Sequence, residues 1–186
     1  LEDVANMKQK NLAVEVLKNL IEEQVSIYKK TNVVKSQKFS EIIQKSMKKY
    51  INGMITNEEV IDELLKMARD IVNSDSEGKE MGLTVEELAF YDALTKPQAI
   101  KDFYEHSELI AMTKELTDLL RKNRTLDWRE KESARAGMRK IVKRLLKKYD
   151  YPPEGIDDAI QTVISQCEMW ADNFEEFEEE REPITV

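Results

Sequence analysis

Apolar side chains recur at three- and four-residue intervals along nearly all of the 186-residue chain. That spacing places them on one face of an α-helix, and no stretch of four or more residues alternates cleanly as a strand would. Breaks are few, since Gly and Pro together occupy only nine positions, five Gly and four Pro. The reading is all-α: a helical bundle of about seven helices in two packed subdomains, with no sheet.

The first helix is expected over 3–31, with Val16, Leu17, Leu20, Ile21 and Tyr28 on one side. A second begins near Ser36, carries Phe39, Ile42, Ile43, Met47 and Tyr50, and stops near Gly53. Thr56 with Glu59, and later Thr84 with Glu87, form capping boxes that start the third and fourth helices. In such a box each side chain satisfies a backbone N–H at the other residue. The third helix has Val60, Ile61, Leu64, Leu65, Ala68, Ile71 and Val72 as its apolar face. The polar stretch NSDSEGKEMG at 73–82 reads as a loop and as the division between the subdomains, 1–75 and 83–176.

Beyond it come Leu88, Phe90, Tyr91 and Leu94, a short segment after Pro97, and a helix over about 107–123. Asp127 is the expected N-cap of a helix that ends near Tyr149, before Pro152-Pro153. A last helix over 154–176 presents Ile156, Ala159, Ile160, Val163, Ile164, Cys167, Ala171 and Phe174. The acidic residues 177–186 are expected to fray.

Composition removes several kinds of chemistry. A lone cysteine, Cys167, gives no internal disulfide and no cysteine zinc cluster, and a lone histidine, His106, gives no His-rich metal centre. A di-iron bundle needs two Glu-x-x-His pairs. No Gly-x4-Gly-Lys-Ser/Thr loop exists to cradle phosphate. Asp75, Glu77 and Lys79 imitate the spacing of a metal-dependent nuclease site, but such sites sit on adjacent strands. Cys167 on an apolar stripe reads as a small buried hydrophobe, and Trp128 and Trp170 as packing residues. No apolar run approaches the ~18 residues that span a bilayer. The N-terminus LEDVANMKQK is not a signal peptide, so the cytoplasm is the expected location. The first residue is Leu rather than Met, and the chain is expected to be a piece of a longer one.

The net charge of −8 is distributed in blocks. Residues 1–53 carry ten basic and six acidic side chains, and 54–120 carry six and sixteen. Residues 121–149 carry twelve basic against three acidic, net +9, and 150–186 one against twelve. A sequence pI near 5.0 argues against general nucleic-acid binding. The local +9 reopens that question.

In the helix within that block, Met138, Ile141, Val142, Leu145, Leu146 and Tyr149 share one face. Burying six such side chains contributes on the order of 10 kcal/mol before entropy. Lys140, Lys143, Arg144 and Lys147 point the other way, with Arg135, Arg139 and Lys148 on the flanks. That face is either a solvated surface or a docking face for phosphate or an acidic protein. Phe174 and Phe177 in the acidic end are further candidate anchors for a partner.

The order FYDAL at 90–94, ELIAMTKEL at 108–116 and RKNRTLDWREKESARAGMRKIVKRLLKKYDYPP at 121–153 resembles a known family. It is similar to the C-terminal helical region of the restriction (R, or HsdR) subunit of type I restriction–modification enzymes. Upstream, KNLAVEVLKNLIEEQ at 10–24 and NVVKSQKFSEIIQKSMKKY at 32–50 resemble the helical segment after that subunit's motor domains. The resemblance covers about 3–175, and its most specific parts are DW-x3-ES-x-RA around Trp128 and RLLKKY-x-YPP. The family pattern has Gly where this chain has Asp150. Asp tolerates the left-handed conformation better than most residues, so the turn is expected to survive.

The resemblance implies a parent subunit that is an ATP-dependent DNA translocase with a nuclease domain. ATP and Mg would be bound only by its upstream domains, so no cofactor and no catalytic residue is expected in this segment. The implied role is assembly, docking the translocase–endonuclease onto the methyltransferase core of modification and specificity subunits. The alternative is a DNA-backbone contact through the basic face at 135–148.

Overall fold

A computed structural model of the chain describes residues 8–123, 128 and 131–172. Among these residues every regular element is helical. The α-helices are α1 (Lys10–Thr31), α2 (Val33–Ile51), α3 (Asn57–Glu80), α4 (Val85–Leu94), α5 (Gln98–Phe103), α6 (His106–Asn123), α7 (Glu132–Lys148) and α8 (Ile156–Asp172). A 3-10 turn, Pro153–Gly155, precedes α8. The short α5 makes the described α-helices eight. The chain divides into two compact units, one of 1–29 and 35–82, the other of 30–34 and 83–186.

In the first unit, three helices enclose one apolar core. Leu17, Ile21 and Tyr28 of α1 join Ala13, Val14 and Val25 there. Leu20, expected on the buried side, is 46% exposed, and Val16 is half-buried. The reason is angular: the buried residues Ala13, Val14, Leu17, Ile21, Val25 and Tyr28 occupy an arc of roughly 120°, and Leu20 and Val16 fall just outside its edge. Phe39 and Ile43 enter from α2, and Val60, Ile61, Leu64, Met67 and Ile71 from α3. The α2–α3 turn closes on Gly53, at φ 68°. There Met54 N–H donates to Lys49 O and Gly53 N–H to Tyr50 O, which satisfies carbonyls at the helix end. Thr56 and Glu59 form the expected capping box: Glu59 N–H donates to Thr56 Oγ1 at 3.2 Å, and Thr56 N–H to Glu59 Oε2 at 2.7 Å.

The expected loop at 73–82 is a correction. α3 stays helical through Glu80, and only a short turn follows. Tertiary contacts override the weak local propensity. Asp75 accepts from the Tyr28 hydroxyl at 2.9 Å and from Lys35 Nζ at 2.8 Å. Lys35 is buried, and its charge also lies 5.3 Å from the centre of the Tyr28 ring. Ser76 donates back to Val72 O, a bond made inside the helix.

The second unit is organised around α4. Ala89, Phe90, Tyr91, Ala93 and Leu94 are all buried, so this helix is apolar nearly all round, as an internal helix must be. It packs on α6 and α8, and α7 packs on both of those. Thr84 and Glu87 form its capping box. Tyr151 donates to Leu94 O at 2.6 Å, and Tyr104 to Tyr149 O at 2.8 Å. Burial is the main cause that pushes both hydroxyls up to about 12, so they stay protonated and able to donate. Trp128 is buried at 2% exposure, and Trp170 meets Phe90 edge to face at 5.1 Å. Cys167 is buried on α8. α7 starts at Glu132 with Lys131 as its N-cap and no side-chain cap bond, a correction to the N-cap expected at Asp127, which itself lies outside the described residues, as do Phe174, Phe177 and the acidic end.

The turn after α7 keeps its left-handed residue. Asp150 has φ 52°. Tyr151 N–H donates to Leu146 O and Asp150 N–H to Lys147 O, the paired bonds that end a helix with a left-handed residue. Asp150→Gly is expected to stabilise the chain by about 1 kcal/mol, because glycine takes this conformation without steric cost. Thermal unfolding should show a higher Tm, and a lower one would mean that the Asp150 side chain contributes more than its strain costs.

Candidate interaction surface

α7 presents its two faces as the apolar period dictates. Met138, Val142, Leu145 and Leu146 are buried, while Ile141 and Tyr149 are half-buried. The opposite side carries Lys140, Lys143, Arg144 and Lys147, all exposed. Advancing about 100° per residue, these four occupy an arc of roughly 100°.

The flanking cations have partners within the unit. Arg135 is half-buried and pairs with Glu168 of α8 at 2.8 Å. Its Nε is buried without a hydrogen-bond partner. Arg139 reaches Glu132 at 3.5 Å. Lys148 meets Glu115 of α6 at 2.7 Å, and Tyr149 donates to the same carboxylate at 2.8 Å. The Lys148 ammonium first, then the Tyr149 hydroxyl, holds Glu115 below the usual carboxylate range. Of the seven basic residues singled out in the sequence, Arg135, Arg139 and Lys148 therefore pair within the unit. Among the described residues no ion pair engages Lys140, Lys143, Arg144 or Lys147. Periodicity alone could not show this division, because Glu168 and Glu115 each lie 33 residues from their partners in sequence.

The other sequence candidates are not brought together. Asp75 is engaged by Tyr28 and Lys35, and it sits on a helix with Glu77 and Lys79 rather than on a strand. His106 is exposed in the first turn of α6, 6.3 Å from the Tyr91 ring. Among the described residues no group of three or more His, Cys, Asp or Glu side chains is placed to hold a metal. No helix among them is long and apolar enough to cross a membrane.

Comparison with known proteins bears on what such a surface serves. A family model described as "Type I restriction enzyme HindI endonuclease subunit-like, C-terminal" matches residues 1–173. The type I restriction enzyme HindI endonuclease subunit of Haemophilus influenzae is 38% identical over 173 residues, 93% of this chain and 16% of that protein. The putative type I restriction enzyme MjaIXP endonuclease subunit of Methanocaldococcus jannaschii is 31% identical over 159 residues, 85% of this chain and 15% of that protein. The chain thus spans about one-sixth of the length of these relatives. No solved structure matches it. The match over nearly the whole chain shows that it belongs to the family of C-terminal regions of HindI-like type I restriction endonuclease subunits.

Proposed function

We propose that this chain is an assembly domain: it docks an ATP-dependent DNA translocase–endonuclease subunit onto the methyltransferase core of a type I restriction enzyme. The observation that carries this reading is the outward face of α7. It concentrates four exposed cations in a unit whose other basic groups on the same helix are engaged internally. Interfaces commonly combine such a charged rim with buried aromatic anchors. In this reading the first unit follows the motor domains of the parent subunit, and the second faces the core. The test is deletion of residues 83–186 from the full subunit. Co-purification with the core is expected to be lost. Retention at normal stoichiometry would overturn the proposal.

A further inference from the structure

Resting on that docking reading, we infer that the outward face of α7 takes an acidic α-helix of the partner protein. Lys140, Lys143, Arg144 and Lys147 stand at i, i+3, i+4 and i+7. They span about 10 Å along the helix, two turns on one side. Carboxylates at the same spacing on a second helix would meet them in register. Three acidic groups that face α7 or lie on it are engaged by other residues: Glu168 by Arg135, Glu115 by Lys148 and Tyr149, Glu132 by Arg139.

The same face continues toward the start of α7 with Ser133, Ala136 and Gly137, and it carries no large side chain there. A Cβ added at Gly137 would have nothing within 4 Å. Internal packing therefore does not require glycine, although glycine weakens the middle of a helix relative to alanine. A flat step beside a cationic strip suits the close approach of another helix. It suits a DNA duplex less well, because a duplex presents phosphate charge along its whole length. Glu132 and Asp150, both exposed, bracket the strip and would repel a continuous row of phosphates.

The experiment uses the full subunit and its core. Lys140→Glu with Lys147→Glu is expected to weaken association at least 10-fold. Gly137→Leu, whose Cβ would meet nothing within 4 Å, is expected to leave the Tm of the chain unchanged or raised and still to weaken association. Wild-type association should itself fall as salt rises. Should both variants assemble as wild type does while the 83–186 deletion does not, this inference falls and the docking reading stands. Should the deletion also assemble, the docking reading falls. If the variants assemble normally but the complex loses salt-dependent DNA affinity, the strip is a DNA contact and the acidic-helix assignment is wrong. Circular dichroism checks that both variants are folded, and Lys143→Glu with Arg144→Glu repeats the charge test at the other two exposed cations.

Discussion

Leu145→Asp is expected to unfold the second unit. Leu145 is 3% exposed and stands beside Val142 and Leu146, both at 0%. Removing its side chain from the core forfeits about 2 kcal/mol of apolar burial. The new carboxyl must then either ionise in an apolar setting or be held protonated at a further cost. Together these exceed about 4 kcal/mol, a large share of the roughly 5–15 kcal/mol that holds an ordinary domain folded. Circular dichroism during heating should show the loss of helix belonging to α4–α8 well below the wild-type transition. Lys140→Glu with Lys147→Glu, on the exposed face of the same helix, should change stability by less than about 1 kcal/mol. Equal loss of helicity in the two variants would mean that α7 does not divide into a buried and an outward face.

That contrast also shows which parts of the molecule were legible in the sequence. The apolar stripes of α3, α7 and α8, both capping boxes and the left-handed Asp150 are local features. Their physics acts within about one helical turn, so spacing alone specifies them. α3 beyond residue 73 was not legible, because what holds it helical is Asp75 meeting Tyr28 and Lys35, 47 and 40 residues away. Leu20 was misplaced because spacing does not fix where the buried arc of a helix ends, and Leu20 falls at the edge of the arc that Ala13, Leu17 and Ile21 define. At the candidate surface, the four exposed cations follow from the helical period. That Arg135 is engaged by Glu168 follows only from the packing of α7 on α8. The acidic segment with Phe174 and Phe177 lies outside the described residues.

Gln166→Leu carries the second large expected effect, about 3 kcal/mol of lost stability, from a residue that no spacing rule would single out. Asn32 alone separates α1 from α2. A break that short leaves helix-end N–H and C=O groups needing partners. Gln166, at 0% exposure, supplies both kinds of partner from α8. Its Oε1 accepts from Val33 N–H at 2.8 Å, and its Nε2 donates to Thr31 O at 2.9 Å. Trp170 Nε1 donates to the same carbonyl at 3.1 Å. Leucine fills similar space but can do neither: Val33 N–H loses this acceptor, which costs about 1–3 kcal/mol, and Thr31 O, still served by Trp170, loses one hydrogen bond at about 1 kcal/mol. Trp170→Phe should cost less through hydrogen bonding, since Gln166 still serves Thr31 O. The double substitution should cost more than the sum of the single ones, because only then are the Gln166 and Trp170 bonds to Thr31 O both lost. For a chain of this size about 3 kcal/mol lowers Tm by roughly 6–12 °C. Gln166→Glu separates the two bonds: a carboxylate can still accept from Val33 N–H but faces Thr31 O with no proton to donate. It should therefore be destabilising as well. A Tm for Gln166→Leu within 2 °C of wild type, in the range of ordinary surface substitutions, would show that the helix ends at Thr31 and Val33 do not depend on Gln166.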